Sequence, residues 1–185
     1  ARMDKAQDEM SSGRRVNLLS DDPYAAGQAS EIEAVSSENL EYISNNDQLS
    51  SKLGFLDSTL QRLVQTVENA QTLAAQALSG TTTAESRAAL SEGVTGTRKQ
   101  VLSIANTQYN GVFLFSGTHR PAADAFTDNA PGFTYDGNDD AIYQRLDRST
   151  TVQTNITGQD LFGDPPAILD VLDNLKTAIG NNDPT

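Results

Sequence analysis

Three stretches hold side chains whose types and spacing offer chemistry. Ser116-Gly117-Thr118-His119 sets a hydroxyl near the single histidine, as a Ser/His/Asp hydrolase requires. No G-x-S-x-G elbow exists to expose a nucleophile, and the segment reads as a loop. Asp136, Asn138 and Asp140 have the first three spacings of a calcium-binding EF-hand loop, with Asp147 at the twelfth place. The sixth place, where that loop needs Gly for its sharp turn, is Ala141, and the bidentate Glu is missing. A metal-free turn accounts for the same residues. Asn155-Ile156-Thr157 matches an N-glycosylation acceptor, a tripeptide common by chance. Glu31, Glu33, Glu38 and Glu41 read as a solvated helix face.

The rest of the composition narrows the chemistry further. Cysteine is absent, which removes disulfides, thiol nucleophiles and Cys-ligated metals, and one histidine cannot make a two-His site. No catalytic, cofactor-binding or metal-ligating residue is therefore expected, and an enzyme is disfavoured. A formal net charge of −12 opposes binding to a phosphate backbone, so no nucleic-acid partner is expected. No apolar run is long enough to span a bilayer, and no membrane partner is expected. The first residues show no basic-then-apolar leader, so no cleaved signal is expected. Opening at Ala1, the sequence reads as a piece of a longer chain.

Proline and the acidic residues mark where the organisation changes. No proline lies between residues 24 and 120, and proline inside a helix costs about 3 kcal/mol. All eight Glu lie at or before Glu92, whereas residues 121–185 hold eleven Asp and no Glu. Glu suits helix interiors and Asp suits caps and turns. Long helices are expected first, then a turn-rich part. Asp22-Pro23 reads as a cap followed by a first helical residue, opening a helix over 23–79.

Within that helix, Leu49, Leu53, Leu56, Leu60, Leu63, Val67, Ala70, Ala74 and Ala77 recur at alternating spacings of 4 and 3. Such a seam predicts coiled-coil-like packing. In the same register upstream stand Ile32, Val35, Asn39, Tyr42 and Asn46. Ser79-Gly80-Thr81 reads as a turn, and Thr82 with Glu85 as a capping box. A second helix over 83–110 follows, antiparallel to the first, with Leu90, Val94, Thr97, Val101, Ile104 and Gln108 on its seam. Gly93 and Gly96 suggest close backbone approach.

From Gly111 the period changes to 2. Val112–Phe115 reads as a strand, Phe133–Tyr135 and Ile142–Leu146 as a hairpin about Asp136-Gly137, and Ser149–Ile156 as a further strand. Asp164-Pro165 repeats the helix start, and Ile168, Leu169, Leu172, Leu175 and Ile179 mark a third helix ending at Gly180. The expected fold is mainly α with a β-rich insert, a long antiparallel coiled-coil-like bundle plus a small β domain. Residues 1–110 form the helical domain, 111–164 the insert, and 165–185 the returning helix.

Four strings carry a family resemblance. Ser11-Ser12-Gly13-Arg14-Arg15-Val16-Asn17 with Ser20-Asp21-Asp22-Pro23 resembles the S-S-G-[KR]-R-[IV]…D-D-P signature of the bacterial flagellin superfamily. Ala105-Asn106-Thr107-Gln108-Tyr109-Asn110-Gly111 is similar to its A-N-T-x-[YF]-N-G. Phe113-Leu114-Phe115-Ser116-Gly117-Thr118 and Thr157-Gly158-Gln159-Asp160-Leu161-Phe162-Gly163 resemble the Y-L-F-[SA]-G-T and T-G-x-x-x-F-G of the hook-associated protein 3 family.

The resemblance implies a structural subunit joining flagellar hook to filament, exported to the extracellular flagellum without a cleaved signal. Implied partners are hook protein, another hook-associated protein, flagellin, further copies of itself and an export chaperone. It implies that a first helix precedes Ala1 and a long last helix follows Thr185, so the 185-residue chain alone is expected to be a monomer. Subunit contacts would fall on Ser12, Gly13, Arg14, Arg15, Asn17, Asp21, Asp22, Asn106, Tyr109 and Asn110. The rival readings are filament flagellin and, in another class, a secreted coiled-coil adaptor or chaperone, for which the β insert would be unnecessary.

Overall fold

The structure, a computed structural model, describes residues 10–11, 23–79, 83–129, 133–163 and 167–181. Helix α1 runs Pro23–Ala77 and α2 runs Ala84–Ala105. At 1.5 Å per residue the 55 residues of α1 span about 82 Å. The Asp22 cap and the Thr82 cap lie outside the described residues. The observed cap of α2 is Thr83, whose side-chain oxygen accepts from the Ser86 N–H at 3.2 Å. The two helices are antiparallel neighbours: the Leu73 side chain meets Gly93, and Phe55 meets Tyr109. A Cβ on Gly93 would stand 3.2 Å from Leu73, as close approach requires, whereas one on Gly96 would meet nothing within 4 Å.

The buried stripe of α1 is rotated from the predicted seam. Leu49, Leu56, Leu63 and Ala70 are buried as expected, and Leu60, Val67 and Ala77 pack partly buried against the core, but the fully buried alternate row is Thr59 and Thr66, and Leu53 is 40% exposed. The threonines tolerate burial because their hydroxyls donate to carbonyls four residues back, Thr59 to Phe55 at 2.9 Å and Thr66 to Arg62 at 2.7 Å. Upstream of Leu49, α1 buries no residue, and Tyr24, Ile32, Leu40 and Ile43 are exposed.

Helix α2 ends at Ala105 instead of 110, because Asn106 turns its side chain away to another segment. Six short strands follow: β1 Gln108–Tyr109, β2 Val112–Phe113, β3 Phe126–Asp128, β4 Phe133–Tyr135, β5 Tyr143–Arg145 and β6 Thr151–Gln153. They pair as three separate antiparallel ribbons, β1 with β2, β3 with β4 and β5 with β6. The predicted hairpin about Asp136-Gly137 does not form. After β4 the Asp136 N–H donates to the Ala125 carbonyl at 2.8 Å and the Asn138 N–H to the Ser116 carbonyl at 3.1 Å. These bonds carry the chain across the 116–118 loop. Strand β2 stops at Phe113, and Leu114 to Gly117 turn inward and are buried.

A short helix, α3 (Gly158–Phe162), was not foreseen. Its signal was present in Thr157, which caps it by accepting from the Asp160 N–H at 3.2 Å. Helix α4 (Ala167–Asn181) buries Leu169, Leu172 and Ile179 and packs chiefly on α2. Its predicted Asp164-Pro165 start lies outside the described residues. Phe115, Phe126 and Phe162 pack edge-on at ring distances of 5.6 and 5.0 Å, and Tyr135 stacks on Phe126 at 4.7 Å. This aromatic knot is continuous with the helical core from Leu56 to Ile179.

Candidate functional site

Of the predicted contact residues, Ser12, Gly13, Arg14, Arg15, Asn17, Asp21 and Asp22 lie outside the described residues. Asn106, Tyr109 and Asn110 sit together where α2 gives way to the β1–β2 ribbon, but their side chains do different things. The Asn106 amide spans the Phe126 backbone, Nδ2 donating to its carbonyl and Oδ1 accepting its N–H, both at 2.8 Å. Phe126 is 1% exposed, so this two-point bond satisfies buried backbone. Asn110 (φ 51°) and Gly111 (φ 76°) form the two-residue loop between Tyr109 and Val112. Positive φ at both positions is the demand of a type I′ hairpin turn, which Asn-Gly meets. Tyr109 rests on Phe55, with ring centroids 5.5 Å apart, and with Asn110 it borders a groove beside α1.

The β5–β6 ribbon forms the opposite side of that groove and is tied to α1 by polar bonds. Gln144 Nε2 donates to the Asn45 carbonyl at 3.0 Å, and Asn46 Nδ2 to the Leu146 carbonyl at 3.1 Å. Arg148 Nε donates to Glu38 Oε2 at 2.8 Å. The Arg148 hydrogen bond, followed by one from Tyr42, holds the Glu38 carboxyl below its usual range. At the ribbon tip, Asp147 Oδ1 accepts from the Ser149 and Thr150 N–H groups at 2.7 and 2.8 Å. With the Ser149 hydroxyl, these bonds lower its pKa to about 2.

The chemistry-bearing stretches are occupied by structural bonds. Ser116 Oγ donates to the His119 backbone carbonyl at 2.8 Å, while the His119 ring lies 3.5 Å from Asp136. No nucleophile–base pair results. Asp140 accepts from Thr118 and Asn138 at 2.8 and 2.9 Å, and Asp147 belongs to the other ribbon's turn. Among the described residues, no three His, Cys, Asp or Glu side chains are grouped to hold an ion. Asn155 is 7% exposed and its amide binds the Ile142 N–H and the Asp140 carbonyl, so the sequon does not offer a free acceptor.

One buried charge escaped the sequence reading. Arg98 on α2 binds Asp128 of β3, lies 2.8 Å from Asp173 of α4 and covers the Phe133 ring of β4 at 4.2 Å. Its position beside Thr97 on the buried stripe was the available signal.

The chain belongs to the bacterial flagellin family: residues 1–120 match the bacterial flagellin N-terminal helical region. Within it, the chain resembles flagellar hook-associated protein 3. It is 31% identical to that protein of Salmonella typhimurium over 159 residues, 85% of this chain and 49% of the relative, so it spans about half the relative's length. The fold is shared with a candidate hook-associated protein of Vibrio parahaemolyticus at a TM-score of 0.81 and 24% identity, covering 90% of this chain and 75% of that one. FlgL of Bacillus cereus matches at 0.70 and 21% identity, covering 86% and 76%. The mainly α architecture with a small β-rich part is thus that of its relatives.

Proposed function

We propose that this chain is part of a structural flagellar subunit placed at the junction between hook and filament. The observation that carries this reading is the 31% identity to hook-associated protein 3 across 85% of the chain. The architecture supports it: a long helix whose first half buries nothing within the chain leaves surface for axial neighbours. The partners are hook protein, another hook-associated protein, flagellin and further copies of the same subunit, with an export chaperone before assembly. The subunit works outside the cell, in the flagellum, reached without a cleaved signal peptide. It is not an enzyme, and the 185-residue chain alone is a monomer. Asn106, Tyr109 and Asn110 remain contact candidates together with the Ser12–Asp22 stretch, the Asn106 amide also holding the Phe126 backbone.

Filament flagellin is the second reading, favoured by the flagellin match over residues 1–120. Deleting the gene separates the two. A junction subunit leaves bare hooks and flagellin shed into the medium. Intact filaments, or loss of the secreted flagellin itself, would contradict the junction reading.

A further inference from the structure

Among the described residues, the groove between α1 and the β5–β6 ribbon, about 500 Å³ in volume, is lined by two cations and no carboxylate in a chain of net charge −12. Lys52 and Arg145 line it, with Tyr42, Tyr109 and Tyr143 supplying ring surface and buried Leu49 below. Lys52 is half-buried on α1 and has no hydrogen-bond or ion-pair partner among the described residues. Burial disfavours its ammonium charge, and no opposing carboxylate restores it. Glu38, one helical turn before the groove-lining Tyr42, is already taken by Arg148 and Tyr42. An unpaired, partly desolvated cation is costly unless an anion meets it.

The rest of the lining indicates what kind of anion. Strand β5 borders the groove and belongs to a two-stranded ribbon, so among the described residues one of its edges is unpaired, an arrangement that extended peptides use. We propose that this groove binds an acidic peptide segment of a neighbouring axial subunit, with Lys52 and Arg145 taking a carboxylate and the tyrosine rings flanking the adjoining residue. That the peptide comes from an axial subunit rests on the junction reading; binding of an acidic peptide does not. Copies of this chain themselves carry exposed acidic residues in one short segment, Asp136, Asp139 and Asp140.

The test is an NMR titration of the whole 185-residue chain with the capped peptide Tyr-Asp-Gly-Asn-Asp-Asp, the sequence of residues 135–140. Sodium acetate and D-glucuronate are separate arms. The expected result is a saturable shift of the Gln48, Lys52, Asn110 and Gln144 resonances by the peptide. Binding should weaken at least tenfold in Lys52→Gln, persist in Lys52→Arg, and fall as salt is raised from roughly 50 to 500 mM. Arg145→Gln, on an exposed strand position, repeats the test should Lys52→Gln disturb the fold. Unsaturable shifts, or unchanged affinity in both Gln variants, would overturn the proposal. So would acetate binding as tightly as the peptide, or glucuronate binding more tightly. The deletion phenotype above reads the junction reading separately, so each can fail alone.

Discussion

Arg98 and Asp128 meet in a two-pronged ion pair, Nη1 to Oδ2 at 2.7 Å and Nη2 to Oδ1 at 2.8 Å. The pair fastens the β3–β4 ribbon to α2, and the contact with Asp173 extends it to α4. The Asp128 bonds raise the Arg98 pKa, so the guanidinium is charged throughout the working range. Removing one partner of a buried pair costs about 3–5 kcal/mol. The Asp128 side chain is 38% exposed, so solvent screening reduces that figure. Asp128→Ala is expected to lower stability by about 2–3 kcal/mol in urea unfolding. A loss below about 0.5 kcal/mol would mean the pair is a surface contact only.

Leu56 and Leu53 stand three residues apart on α1 with opposite fates, 6% and 40% exposed. Leu56→Ala is expected to cost about 2–5 kcal/mol through lost transfer energy and the cavity left behind. Leu53→Ala should cost less, about 1–2 kcal/mol, since that side chain is only partly removed from water and leaves no closed cavity. Equal losses in thermal melts would return the buried face to the predicted seam.

Asn106→Ala would strand the Phe126 N–H and carbonyl in the core. Each unsatisfied buried group costs about 1–3 kcal/mol, so a loss of about 2–4 kcal/mol is expected by denaturant titration. A variant as stable as the parent would show that the Asn106 amide is free for subunit contacts instead.

The tie between ribbon and α1 should weaken in acid. Glu38 has a pKa lowered by Arg148 from the ordinary 4.5, and Asp147 one lowered from 3.8 to about 2. Groups with depressed folded-state values add stability that is complete above the unfolded value and lost as pH falls through the folded one. Amide exchange of residues 143–153, after correction for intrinsic rate, is expected to show protection constant above pH 5 and declining towards pH 2. Protection independent of pH in this window, or the same decline in Glu38→Gln, would leave the ion pair without a role.

Much of the helical framework was legible because period and proline placement are local signals. Pro23 opens α1, and the heptad spacing located Leu56 and Leu63 in the core. The choice between the Leu53 and Thr59 rows was not legible, because Thr hides its polarity only when bonded to the preceding turn. The β ribbons were misread where the partner is distant in sequence: Tyr135 of β4 pairs with Phe126 of β3, not with a strand after Gly137. The A-N-T-x-Y-N-G string marked a turn correctly, yet could not reveal that Asn106 points at Phe126 while Tyr109 borders the groove. Lys52 drew no notice because a lone Lys on a long helix reads as solvated until the β5–β6 ribbon covers it.

A junction subunit occupies one place in the flagellum. Immunogold electron microscopy of whole flagella, with antibody raised against the 185-residue chain, tests it directly. The expected label is confined to a single narrow band where the hook meets the filament. Label along the whole filament would make the chain part of a flagellin, and flagella without label would contradict the axial role altogether.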